Sequence, residues 1–302
     1  MNRKRVSLIA AVVIVLMAGL ESCSVLSETQ LDRIENLALN ADSVVSAPSA
    51  IFSTLGEVRL ERGLFYAASF SSPEARFEEI QALAESSIEE KKRAEKADVY
   101  VGILNSYFRA LRSIANEERW RGVGREFRSL GRGVDSLIIE SNELFGKDTP
   151  VGVAKVAGKT FGYFAENINK FRQTKYVKEF VALGDSLVAE CTDSLTSILK
   201  SKSLTELIEN ESAGLEANYK AYTYAMIEGG YPPQVSNDKE YVLLVEKMSS
   251  VKQIRNKAVA ALRSVKNGHH KLLLELGKED QEKEVFEDFQ SINSLLLELS
   301  KL

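Results

Sequence analysis

The sequence predicts an all-α fold: an elongated up-and-down bundle of about nine helices with almost no β-structure. Three observations carry this expectation. Only five prolines occur in 302 residues, at 48, 73, 150, 232 and 233, and all fall between periodic segments, where a missing N–H breaks no helical ladder. Apolar residues recur at alternating intervals of three and four, the signature of one buried helix face. No stretch shows sustained apolar–polar alternation with turn dipeptides between apolar runs, as hairpins require.

The elements follow in order. Leu31, Ile34, Ala38, Ala41 and Val45 mark a first helix over 28–46, and Ser27-Glu-Thr-Gln30 before it resembles a capping box, whose side chains take up the orphan N–H groups of the first turn. A second helix is expected over 50–69. Ser72-Pro73 opens a long third one, 74–115, which ends on the stripe Val101, Leu104, Phe108, Leu111 and Ala115. Its middle, AESSIEEKKRAEKAD over 84–98, is poor in apolar residues and reads as a solvated stretch of the same helix. The most regular seam, Trp120, Val123, Phe127, Leu130, Val134, Leu137, Ser141 and Leu144, predicts a helix over 117–145. Thr149-Pro150 opens 151–171; Val177, Phe180, Gly184, Leu187 and Cys191 mark 174–200. Ser203-Leu-Thr-Glu206 reads as a capping box for 203–228, and Asn237-Asp-Lys-Glu240 resembles one for 238–277. Val285, Phe289, Ile292, Leu296 and Leu299 mark a last helix, 279–301. Short links between long amphipathic helices imply antiparallel neighbours.

The N-terminus carries a different signal. Arg3, Lys4 and Arg5 precede fifteen mostly apolar residues, Val6 to Leu20, and then Glu21, Ser22 and Cys23. As a helix this run is only ~22 Å long, short of the ~30 Å that a stable span must cross, so it reads as a signal peptide. Its end, Leu20-Glu21-Ser22-Cys23, resembles the lipobox of bacterial lipoproteins, in a permissive form because Glu21 stands where a small uncharged residue is usual. The resemblance implies a signal peptide over 1–22, cleavage before Cys23 and acylation of its sulfur, a tether over 23–27, and a single helical domain over 28–302. It also implies a bacterial cell-envelope location, on the periplasmic side of the inner membrane or in the outer membrane, with the bilayer as a partner through acylated Cys23. Cys191 then has no intrachain partner for a disulfide.

Without Arg3, Lys4, Arg5 and Glu21 the chain keeps 36 basic and 42 acidic residues, a net charge of −6. That balance does not suit a nucleic-acid binder. Nor is nucleotide binding expected. GVAKVAGKT over 152–160 ends like a phosphate loop, but Gly152 and Gly158 enclose five residues instead of four, and the context is helical rather than strand–turn–helix.

Four other features bear on chemistry. His269 and His270, the only histidines, lie on different sides of one helix; His269 falls on the apolar stripe Ala258, Leu262, Val265, His269, Leu272. Neither has a partner at metal-ligand spacing, and the His-x-x-Glu pattern of imelysin-like proteins is absent, so a buried, hydrogen-bonded His269 is expected. Arg121, Arg125, Arg128 and Arg132 form a stripe that suits headgroup phosphates or an acidic partner. Tyr222, Tyr224 and Tyr231, beside Gly229-Gly230 and Pro232-Pro233, form a candidate surface for a peptide or glycan. Cys191 sits on a seam as a small buried hydrophobe. No catalytic set emerges and no cofactor is implied. The expected function is therefore non-enzymatic binding or scaffolding, by helix faces offered to an envelope protein or glycan. The alternative is a metal-binding or enzymatic bundle that uses His269 or His270 with carboxylates from neighbouring helices.

Overall fold

The structure, a computed structural model, describes residues 25–116, 132–140, 142, 170–232 and 234–277. They form seven helices and no strand: α1 Glu28–Val45, α2 Ala47–Ala68, α3 Pro73–Ala115, α4 over 132–140, α5 Lys170–Lys200, α6 Lys202–Glu228 and α7 Val235–Leu276. The all-α class stands. The expected helices over 151–171 and 279–301, and most of 117–145, fall outside the described residues, as does the motif over 152–160.

Local chemistry sets the boundaries. Ser27 caps α1 with both arms of a capping box, its Oγ accepting from the Gln30 N–H while Gln30 accepts from the Ser27 N–H at 2.9 Å. Ser72 caps α3, with Pro73 at the first helical position. Two expected caps are corrected. Ser201, not Ser203, starts α6 by accepting the Leu204 N–H at 3.2 Å. Asn237 does not start α7: the helix begins at Val235, and Asn237 instead donates its Nδ2 to Tyr222 Oη at 2.8 Å. The break expected between 171 and 174 is also absent, because no Gly or Pro interrupts the ladder and Thr174 Oγ1 returns a bond to the Lys170 carbonyl. Gly230, at φ +76°, ends α6 in the left-handed conformation that glycine adopts freely, while the Tyr231 N–H closes on the Met226 carbonyl at 2.8 Å.

Six of the seven helices assemble as four rods that run up, down, up and down, and α4 lies against α3, with Leu137 beside Gly102. The first is α1 and α2, kinked where Pro48 removes an N–H just after Ser46. The second, α3, runs back along it: Arg112 Nε donates to Glu35 at 3.1 Å, Ser49 to Asp98, and Leu83 seats against Gly63. The third is α5 and α6, broken at Ser201, and the fourth is α7. At 1.5 Å per residue, the 43 residues of α3 span ~64 Å.

Below the breaks, α1, α3, α5 and α7 close a four-helix square around Ile34, Leu37, Leu104, Phe108, Leu111 and Ile114. Fully burying each such side chain is worth ~1.5–3 kcal/mol. Above the breaks, α2, α6 and α7 form a triangle, with α3 laid against α2. Both breaks stand at one height: Lys247 pairs with Glu57 and Lys266 with Asp193, and stepping along the helices from these pairs puts Ser46 and Ser201 both opposite Ala258. The bundle therefore has a base, where the chain enters α1 and α5 and leaves α3 and α7, and a tip made by the α2–α3 and α6–α7 turns.

Candidate functional site

At the base, the entering chain is part of the fold. Leu26 is buried and its N–H donates to Thr174 Oγ1, at the start of α5, at 2.9 Å. Beside it, Gln173 is buried and its Nε2 donates at 3.1 Å to the Ile114 and Ala115 carbonyls in the last turn of α3. Two polar side chains of α5 thus fasten both the N-terminal strand of chain and the end of α3.

Two to three turns further into the square lies a polar chain of four residues from three helices. Tyr107 (α3) and His269 (α7) are fully enclosed, with Tyr107 Oη 2.6 Å from His269 Nε2. His269 Nδ1 is 3.1 Å from Asp185 Oδ1 (α5), and His270 Nδ1 is 2.9 Å from Asp185 Oδ2. An ionised carboxylate only accepts, so both Nδ1 atoms carry protons and His269 Nε2 accepts from the tyrosine hydroxyl. Tyr107 stacks on Phe180 at 4.9 Å and meets Phe108 edge-on. Gly184 makes the approach possible, since a Cβ there would stand 2.1 Å from Tyr107 Oη.

The titration of these groups follows from burial. Burial holds the His269 imidazole below its usual value, against the opposing pull of Asp185. Burial, then the Asp185 charge, pushes the Tyr107 phenol well up. Burial tends to raise Asp185, but its bonds to His270 and His269 outweigh that and leave it lowered. The chain of bonds runs from an exposed imidazole, His270, to an enclosed phenol. Its inner end meets Phe180 and Phe108 rather than solvent, and the phenol is held in its neutral, weakly nucleophilic form. Among the described residues no group of three His, Cys, Asp or Glu side chains is placed to hold a metal ion.

Between α2 and α6, Glu211 is 1 % exposed, and its carboxylate is gripped by Arg59 Nε at 2.7 Å and Arg62 Nε at 2.5 Å. Sequence reading passed over this cluster, as it did Tyr107, Asp185 and Gln173. The usable signals were a glutamate on the inner face of α6 and a glycine, Gly184, on a seam.

At the tip the three candidate tyrosines separate. Tyr222 turns inward with Tyr219 against Phe65, and Tyr219 stacks on Tyr241 at 4.2 Å, so Tyr222 takes no part in the surface. Tyr224 and Tyr231 are exposed. With Ile227, Val235, Val242 and Val245 they make an apolar outer face on the α6–α7 pair, each residue between 43 % and 79 % exposed. Of the arginine stripe, Arg132 is exposed on α4; Arg121, Arg125 and Arg128 lie outside the described residues, as does Cys23. Cys191 is buried. Among the described residues no helix is long and apolar enough to cross a membrane. In comparisons with known proteins, no family, no curated protein and no solved structure matches the chain.

Proposed function

We propose that the chain is a membrane-anchored bacterial envelope lipoprotein that binds or scaffolds a partner and carries out no chemistry itself. The observation that carries the reading is the docking of Leu26 on Thr174 at the base. Only Ser24 and Val25 separate this anchor point from the lipobox-like Cys23, so an acylated Cys23 would hold the base within ~10 Å of the bilayer. The rod then carries its tip ~60 Å away from the membrane, and the exposed apolar face lies there. Multiple acyl chains would hold it firmly, at ~0.8 kcal/mol for each buried methylene.

The alternative, a metal or enzymatic site at His269 and His270, has less support. Both Nδ1 atoms are engaged by one carboxylate, and His269 Nε2 is engaged by Tyr107. The test is metabolic labelling with palmitate in a bacterial host. The wild-type chain is expected to take up label and shift in mobility on maturation, and Cys23→Ala to do neither. A Cys23→Ala chain that is processed and retained in membranes like wild type overturns the reading.

A further inference from the structure

We infer that the outer face of α7 at the tip binds a second copy of this chain, with the two α7 helices packed antiparallel. The inference rests on the binding role proposed above and names its partner. Val235, Val242 and Val245 follow the seven-residue repeat of a coiled-coil seam, with Asp238 and Ser249 as its polar members, yet the valines are exposed; Asp238 is held by the Tyr219 hydroxyl. This stripe points away from α2, whose Glu57 pairs with Lys247 on the opposite side of α7, and it starts at Val235, four residues after the exposed Tyr231. Exposed apolar side chains gathered into one face, instead of scattered singly, mark a contact surface.

The flanking charges select the occupant. Lys239 and Glu246 stand seven residues apart on the same side of the stripe, and among the described residues neither side chain has an ionic partner. In an antiparallel pair the flanks meet in reverse order, so Lys239 faces the partner's Glu246 and Glu246 faces the partner's Lys239. One two-fold axis level with Val242 satisfies both pairs and places valine against valine. In a parallel pair Lys239 would approach the uncharged Gln234 and Glu246 the uncharged Tyr241, with no match gained. The contact is thus self-complementary, as a two-fold interface requires. It also points the two bases away from one another, so anchored copies would meet from facing membranes rather than side by side in one.

The test uses the full mature chain in detergent micelles, where the anchors impose no geometry. Sedimentation equilibrium is expected to show a reversible dimer, and Val242→Cys to form an intermolecular disulfide on mild oxidation while Ile88→Cys does not. Lys239→Glu and Glu246→Lys should each weaken the dimer on the order of tenfold, since each replaces two attractions by repulsions, and the double variant should recover most of the loss. All four positions are exposed, so circular dichroism should report unchanged folding. A monomer at all concentrations, or a dimer indifferent to both charge reversals, overturns the inference. If the monomer instead captures a different envelope protein or lipid vesicles, and Val242→Asp abolishes that capture, the second copy is excluded while the binding role of the tip stands. A monomer that captures neither excludes both.

Discussion

Removing a single oxygen tests the polar chain at the base. Tyr107→Phe keeps the ring, its stacking on Phe180 at 4.9 Å and its edge contact with Phe108, so packing contributes little to any loss. What changes is His269: its Nε2, enclosed and formerly 2.6 Å from the hydroxyl, keeps its desolvation cost and loses its donor. Orphaning a buried polar atom costs ~1–3 kcal/mol. For a protein of this size each kcal/mol lowers the melting temperature by roughly 2–4 °C, so a fall of about 4–8 °C is expected, with a matching shift in the urea midpoint at unchanged slope. Far-UV circular dichroism during urea unfolding reads both. Combining Tyr107→Phe with His269→Leu removes the orphan, so the double variant should lose less than the sum of the single losses. A Tyr107→Phe chain within ~0.3 kcal/mol of wild type, or strictly additive losses, would refute the idea that the hydroxyl satisfies His269, because mutational effects at independent sites add to within about that margin.

Further outcomes follow from the same arrangement. His269 has its folded pKa depressed by burial, so the unfolded chain takes up the proton first: stability is full above pH ~6.5 and falls as pH drops toward the folded value, by up to ~1.4 kcal/mol per unit. Asp185, also lowered, adds loss in the same direction at lower pH. Unfolding measured from pH 8 to 5 should show this slope, and His269→Gln should flatten it; an equal slope in the variant would remove His269 as its source. Glu211→Ala should cost about 3 kcal/mol by leaving Arg59 and Arg62 facing each other without their shared carboxylate, read as a urea midpoint shift; a loss below ~1 kcal/mol would mean that water replaces the carboxylate, as at exposed pairs. Gln173→Ala should cost ~1–3 kcal/mol by removing the buried amide that donates to the Ile114 and Ala115 carbonyls, and hydrogen exchange should locate the loosening around Ile114.

The helices were legible because helix formation leaves local marks. Ser27 with Gln30, Ser72 with Pro73, and Gly229-Gly230 each state a boundary within four residues. Boundaries were misplaced where two polar residues competed for one task. Ser201 and Ser203 both suit a cap, and it is Ser201 that takes the Leu204 N–H while Ser203 gives its hydroxyl to Ser201; Asn237 looks like a cap until Tyr222 claims its amide. The placement of His269 toward the core was readable from its stripe, but its partners were not. Tyr107, Asp185 and His269 are separated by dozens of residues and meet only because three rods share one height. The same holds for Glu211, whose two arginines lie more than a hundred residues upstream. Single-chain periodicity tells which face of a helix is buried and leaves open which residues meet there.

The shared height of the two helix breaks has a mechanical consequence. At the level of Ala258, α3 and α7 pass through uninterrupted while the other two rods are jointed at Ser46 and Ser201. Among the four rods bending stiffness is lowest where two of them are cut, so a sideways force on the tip concentrates its curvature in that plane, against the brace that α4 gives α3 where Leu137 meets Gly102. The rod then behaves as two stiff segments joined by an elbow, with α3 and α7 serving as its flexing leaves.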